Sequence, residues 1–410
     1  MKIWIKFLIG IVIGILLALF VPPRIGSEIF DYLAQLFYHI GRYIVFPLVF
    51  FSLLIGTHEL RESRKIGRTY GLAFLFMILS TFLLTLIGVL SVFLFSPERI
   101  PIQQEIVEEI TVPGVKETIL SVFPKNLFDA FTGQGDILLP LIVLAFIIGV
   151  NLHFDKSEIK DKPLIQLADS ASRLFYHINT LVAEVFGIAL IAITASSIIR
   201  LQPAFVSPYF QQMIIILVVD AVVVLFGIIP GFLYLLGDRE NPYKWIYAIT
   251  GPLLMAFATG DEYLSLSSLI KHGRENLGIS RKTGSAVFPL LTIFGKAGTA
   301  MVTSVSFIII LKSFSTIDIN PQQVLWVIGA SFLVSFTLSS VPGVGAFVAI
   351  QLMCQQYGQG FEDAYVRLAD IKPLLISFAV VLDVAINAFT AFLIEFQNKN
   401  MVKKHITDFI

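Results

Sequence analysis

The chain has 410 residues with 29 basic and 29 acidic side chains, a charged share of 14% where soluble domains average about 25%. With 56% hydrophobic residues, 37 Phe and a mean hydropathy of +0.84, it carries more apolar surface than a soluble globule can hide. The same figures exclude disorder, coiled coil, collagen and disulfide scaffolds, zero net charge gives no ground for a nucleic-acid partner, and the lone Cys354 forms no internal disulfide. The chain reads as an all-α polytopic protein of a lipid bilayer.

A helix needs about 20 mostly apolar residues to cross the hydrocarbon. Windows of that size predict spans near 4–21, 34–56, 70–95, 137–152, 174–199, 211–236, 286–311 and 374–396. The first follows Lys2 and Lys6 as a signal peptide would. Its core runs on to Val21, however, no small-residue cleavage site follows, and Pro22-Pro23 reads as a stop, so it is taken as an uncleaved helix. Its Gly10 and Gly14 form a small-residue pair of the kind that packs helices.

Basic residues collect before the first span, between the second and third (Arg61, Arg64, Lys65, Arg68), and after the fourth (Lys156, Lys160, Lys162). They collect again before the seventh (Lys271, Arg274, Arg281, Lys282) and at the end (Lys403, Lys404), whereas Glu105, Glu108 and Glu109 follow the third. Cytoplasmic loops carry the excess of Lys and Arg. The alternation predicts eight crossings in the inner (plasma) membrane with both termini cytoplasmic.

Two segments break this count. Residues 245–270 run apolar to Gly260-Asp261-Glu262 and resume with YLSLSSLI. Residues 324–353 run apolar to Ser339-Ser340, break at Val341-Pro342-Gly343-Val344-Gly345 and resume with AFVAIQLMC. A full crossing by either would reverse the charge alternation downstream, so each is predicted to enter and return on one side. Irregular backbone at that depth must line protein or a watery cavity. Hairpin and span then repeat with opposite sense, and inverted repeats with broken helices are the build of secondary transporters.

Four stretches carry a resemblance. FPLVFFSLLIGTHELRESRKIGR around 47–68, FPKNLFDAFTGQGDILLPLIVLAFIIGV at 123–150, the ENLGIS exit of the first hairpin and SVPGVGAF at 340–347 stand in one order. The chain resembles the dicarboxylate/amino-acid:cation symporter family, the glutamate-transporter fold, as a divergent prokaryotic member. The resemblance implies eight transmembrane helices plus two re-entrant hairpins, a homotrimer and an elevator-type movement. It puts residues 1–70 and 123–205 in a scaffold, 71–122 in helix 3 and an extracellular loop, 206–244 in helix 6, and 245–410 in the transport core. It implies a small-molecule substrate, an acidic amino acid or a dicarboxylate, with Na+ or H+ as coupling ion and no other cofactor.

The implied site departs from the family pattern. Where the family's seventh helix unwinds at Asn-Met-Asp-Gly-Thr, this chain has Gly295-Lys296-Ala297-Gly298-Thr299, so the sodium-binding Asp is Ala297 and a Lys occupies the Met position. The glycines are expected to keep an unwound hinge, since Gly tolerates the required dihedrals. The eighth-helix Asn-x-x-x-Asp appears swapped as Asp383 and Asn387, on one helix face. The Arg for a substrate side-chain carboxylate falls at Ala379, and the Asp for its amine at Ile376. The first tip carries Thr259, Asp261, Glu262 and Tyr263 in place of a serine-rich loop; its carboxylates could bind a cation, accept protons, or lie in cytoplasmic water.

The resulting expectations are specific. Thr259, Asp261, Glu262, Tyr263, Thr299, Val341, Pro342, Gly343 and Asp383 are the candidate substrate residues, and Gly295, Lys296, Ala297, Asp383 and Asn387 the candidate cation-coupling residues. The ammonium of Lys296 is expected to stand in for a sodium ion and pair with Asp383; alternatively either group exchanges protons, or the pair is a locked salt bridge without a coupling role. Asp220, a lone carboxyl in ILVVDAVVVLF, is a further candidate. His177 and Glu184 share a helix face but lack metal-ligand spacing. No GxSxG, Walker or His-rich metal motif points to an enzyme. An ion or anion channel on the same fold is the alternative.

Overall fold

A computed structural model describes residues 2–100, 120, 122–132, 138–152, 163–206, 208–236, 241–314, 319–337, 345–398, 402 and 404–410. Most of the loop 97–122, the basic residues after the fourth span, and Val341, Pro342 and Gly343 at the second tip lie outside them. Every regular element among the described residues is helical.

In chain order the principal helices are α1 (Ile3–Phe20), α2 (Pro23–Glu62), α3 (Ile66–Phe95), α4 (Leu139–Asn151), α5 (Pro163–Val206), α6 (Pro208–Val222), α7 (Thr250–Thr259), α8 (Glu262–Glu275), α9 (Arg281–Phe294), α10 (Ala297–Phe314), α11 (Pro321–Thr337), α12 (Gly345–Tyr357) and α13 (Lys372–Gln397). A π-helical stretch, Val223–Ile228, and a further helix, Ile229–Leu236, continue α6. Among the described residues, seven helical stretches are long and apolar enough to cross a membrane: Ile3–Phe20, Gly26–Glu62, Ile66–Phe95, Pro163–Gln202, Phe210–Leu235, Arg281–Phe314 and Ala364–Gln397. The fourth expected span appears as α4, only 13 residues long. At 1.5 Å per residue that is about 20 Å, short of the hydrocarbon thickness of about 30 Å.

α5 packs along α1 and α2, and α4 along α2; α10 lies among α3, α11, α12 and α13, and α2 also lies against α8 and α9. In α10 only Lys312 and Phe314 escape full burial, although Thr299, Thr303, Ser304 and Ser306 lie along it. Ser304 and Ser306 return their hydroxyl protons to carbonyls one turn back, Met301 and Val302, whereas the buried Thr303 hydroxyl has no partner among the described residues. The outer helices behave oppositely: Leu19 and Phe20 of α1, Leu94 of α3, and Leu181, Val185 and Ile188 of α5 turn outward. In a bilayer such faces cost nothing, because lipid tails are as apolar as leucine.

Small residues set the closest approaches. A Cβ on Gly10 would strike the carbonyl oxygen of Gly187, and one on Gly14 would lie 2.6 Å from that of Ile191. The expected small-residue pair of the first span therefore seats α1 on α5. Likewise a Cβ on Gly88 of α3 would lie 2.7 Å from Ser304 Oγ and 2.8 Å from the Met301 carbonyl of α10.

Candidate functional site

Four chain segments meet at one point: the α7–α8 turn, the break between α9 and α10, the middle of α13, and the middle of α2. The turn is built locally. Thr259 ends α7, Gly260 takes the left-handed conformation at φ +59°, and Asp261 caps α8 by accepting from the backbone N–H of Tyr263 at 2.8 Å and Leu264 at 3.2 Å. Gly is the residue that adopts this φ without strain, and Asp is among the preferred N-caps. α7 and α8 pack against each other across the turn, as the hairpin reading expects.

α2 grips this turn from outside. Arg42 donates to Asp261 Oδ2 through Nη2 at 2.6 Å and Nε at 3.1 Å, and Tyr38 donates its hydroxyl to the Thr259 carbonyl at 2.5 Å. Farther along α8, Asn179 of α5 donates to the Ser267 carbonyl at 3.0 Å, and Lys271 pairs with Glu184 at 3.2 Å. The whole stretch Glu262–Gly273 is buried. Neither tip carboxylate lies in water: Asp261 is 0% exposed and Glu262 7%.

The hinge between α9 and α10 falls where the glycines do. α9 ends at Phe294, and Lys296 precedes the first turn of α10. The reason for glycine here is room rather than dihedral freedom, since Gly295 has an ordinary φ of −82°. A Cβ on Gly295 would strike Asn387 Oδ1 and lie 2.6 Å from the Leu291 carbonyl; one on Gly298 would strike the Ala379 carbonyl and Leu382 Cβ. The break thus lets α13 press directly against the start of α10.

Asp383 exploits that contact. One carboxylate oxygen accepts from the backbone N–H of Gly298 at 2.6 Å and Thr299 at 3.2 Å, the other from Thr299 Oγ1 at 2.6 Å. A helix N-terminus leaves its first N–H groups unsatisfied and favours negative charge, so Asp383 caps α10 from another helix. Lys296 does not pair with Asp383 as expected. Its ammonium forms an ion pair with Glu262 of the first tip, both side chains buried. Asp383 already serves three donors at the start of α10, and Glu262, projecting from the first turn of α8, is the acceptor that the ammonium meets. Lys296 adjoins the Ala297–Thr299 turn that Asp383 caps, so Glu262, Lys296 and Asp383 gather at one break.

The other expected residues divide. Thr299 belongs to the cluster through Asp383. Asn387 turns away from Asp383, donating to the Leu291 carbonyl at 3.1 Å, with its Oδ1 buried and unpartnered beside Gly295. Tyr263 and Ala297 are buried packing residues of the helix starts, and Thr259 offers its carbonyl to Tyr38. Ile376 and Ala379 are buried on α13, Ile376 against Gly260. Arg42 and Tyr38 were missed by the sequence reading, although a lone cation inside the apolar run 34–56 is itself a signal.

The profile of the sodium:dicarboxylate symporter family matches residues 3–396. The chain is 25% identical over 85% of its length to a proton/sodium-glutamate symport protein of Geobacillus stearothermophilus, covering 83% of that protein. It is 26% identical over 83% of its length to C4-dicarboxylate transport protein 1 of Ralstonia nicotianae, covering 80% of it. A C4-dicarboxylate transport protein of Bacillus subtilis is 23% identical, with 84% of this chain and 81% of that one aligned. The protein belongs to the sodium:dicarboxylate symporter family, whose members are transporters and not enzymes.

Proposed function

We propose that the protein is a secondary carrier that moves an acidic amino acid or a C4-dicarboxylate in symport with a cation, and that Lys296 takes over the place of one coupling sodium ion. The observation that carries this reading is the buried Lys296–Glu262 ion pair beside Asp383 at the break between α9 and α10. A fixed ammonium there supplies the positive charge that an ion bound at Ala297 cannot, because alanine has no side-chain ligand. The names of the relatives support the substrate class and a sodium or proton gradient as the driving force.

The architecture belongs to the same proposal. The segment carrying α4 is the eighth crossing, and the pairs α7–α8 and α11–α12 are re-entrant hairpins entering from opposite sides. The termini lie on the side of the basic clusters, in the cytoplasm of a prokaryotic cell. The scaffold comprises residues 1–70 and 123–205, the transport core residues 245–410; α3 and α6 travel with the core, which rides past the scaffold of a homotrimer. Thr259, Asp261, Glu262, Tyr263, Thr299 and Asp383, with Val341, Pro342 and Gly343 of the second tip, surround the substrate; Gly295, Lys296, Ala297, Asp383 and Asn387 form the coupling site.

Purified protein in lipid vesicles tests this. Uptake of glutamate or succinate should be saturable, show counter-transport, and depend weakly on a sodium gradient. Lys296→Met should abolish uptake or make it sodium-dependent. Uptake that requires sodium in the wild type and is unchanged in Lys296→Met sinks the ammonium reading, and ion current without substrate favours a channel.

A further inference from the structure

Asp220 lies outside the cluster and has no part in the coupling described so far. It is 3% exposed, deep in α6, where it is the sole charged residue between Pro208 and Leu236. Among the described residues its one hydrogen-bonding partner is Ser91 of α3, with Ser91 Oγ and Asp220 Oδ2 2.8 Å apart. No ion pair among the described residues involves it.

The helices packed on α6 are α3, α5 and α13, and their charged groups are occupied elsewhere. On α13, Asp383 caps α10, Glu395 accepts from the Ser280 N–H at 3.0 Å, and Lys372 lies over the Phe347 ring. On α5, Glu184 pairs with Lys271, Arg173 with Asp169 and Arg200 with Asp31. The charged groups of α3 lie at its start, where Arg68 donates to the Gln397 carbonyl.

An ionised carboxylate buried without a cation costs several kcal/mol, and the group takes up a proton instead. The hydrogen bonds agree. Ser91 has one hydroxyl proton and two acceptors in reach, Asp220 Oδ2 and the Gly88 carbonyl at 3.0 Å. With Asp220 as the acid, its O–H donates to Ser91 and Ser91 donates to Gly88, so every group is served. The same interface abuts the site: Gly88 touches Met301 and Ser304 of α10, one turn beyond Thr299. Immediately after Asp220 the helix widens into the π-stretch Val223–Ile228, with Pro230, which lacks an N–H, just behind it.

We infer that Asp220 is a proton-binding site of this carrier, neutral while it is buried between α6 and α3 and releasing its proton to water when the moving core carries that interface toward the other face of the membrane. The release is a simple ionisation, carboxylic acid to carboxylate with the proton passing to water. The inference rests on the proposed cation-coupled carrier for its role in the cycle, but the protonated acid itself can be tested without transport.

Infrared difference spectra at neutral pH between the wild type and Asp220→Asn should contain a carboxylic-acid C=O band that the variant lacks. Asparagine matches the shape of the neutral acid, so the thermal midpoint of the variant should stay near that of the wild type. In vesicles with a pH-sensitive dye inside, glutamate or succinate uptake by the wild type should carry protons inward, and Asp220→Asn should take up substrate with that proton flux lost. Absence of the band, or an equal proton flux per substrate in both proteins, overturns the inference. No uptake of either substrate by the wild type counts against the proposed function instead, and the infrared result then decides the protonated acid by itself.

Discussion

Lys296 and Glu262, 34 residues apart in the chain, form a buried ion pair that ties the α9–α10 break to the tip of the α7–α8 turn. Removing one partner of such a pair strands a charge, which typically costs about 3–5 kcal/mol, whereas replacing both by apolar groups is often neutral or better. Glu262→Leu and Lys296→Met should each lower the unfolding midpoint markedly in detergent, and the double variant should recover most of the loss. Additive losses in a double-mutant cycle would falsify the pairing as a stabilising contact.

Asp383 presents a different dependence. Asp383→Ala deprives the first N–H groups of α10 of their acceptor, and loss of an N-cap alone costs about 0.5–2 kcal/mol. Asp383→Asn keeps an acceptor oxygen for Gly298 and Thr299 while removing the charge next to Glu262 and Lys296. It should preserve the thermal midpoint far better than the alanine variant, yet lose substrate uptake. Full uptake in Asp383→Asn would mean that the carboxylate serves only to cap the helix.

The tip contact with α2 separates in the same way. Asp261→Asn retains the cap on Tyr263 and Leu264 but loses the charge that Arg42 grips, so amides 259–265 should exchange faster with deuterium while the global unfolding midpoint moves little. Asp261→Ala loses both cap and ion pair and should also lower stability by about 0.5–2 kcal/mol. Equal exchange in the wild type and Asp261→Asn would show that Arg42 adds nothing to the order of the tip.

Gly298→Ala tests the tight seam of α10 on α13. The new methyl would meet the Ala379 carbonyl and Leu382 Cβ, with Asp383 N at 2.8 Å, and backbone atoms cannot turn aside as a side-chain tip can. Overpacking of this kind typically costs about 1–3 kcal/mol. Gly329→Ala, at a position with open space around its Cβ, is the matched control and should leave the midpoint in place.

Much of this arrangement is legible in the sequence, for reasons that differ by residue. The break at Gly295 was expected only from the resemblance, whose unwound seventh helix falls on Gly295–Thr299, while the α7–α8 turn was visible locally because Gly260-Asp261-Glu262 interrupts an apolar run. The close seat of α1 on α5 was foreshadowed by Gly10 and Gly14. α2 and α5 exceed their expected spans because helix formation continues beyond the apolar window, through polar residues such as Asp169, Arg173, Glu59 and Arg61 that hydropathy ignores. The glycines of the hinge were read for dihedral freedom, yet their role is closeness, since backbone approach between distant helices leaves no trace in a local window.

The sequence by itself determined the class, the helical spans and the positions of the buried charges, because each follows from the composition of a short stretch. Which charge meets which was decided only by the tertiary structure. Asp383 reaches the N-terminus of α10, Lys296 turns to Glu262, and Arg42 closes on Asp261, because pairing depends on where four chain-distant segments converge. In a low-dielectric interior a buried charge must find a partner within a few ångströms, and only the packing of the helices sets that distance.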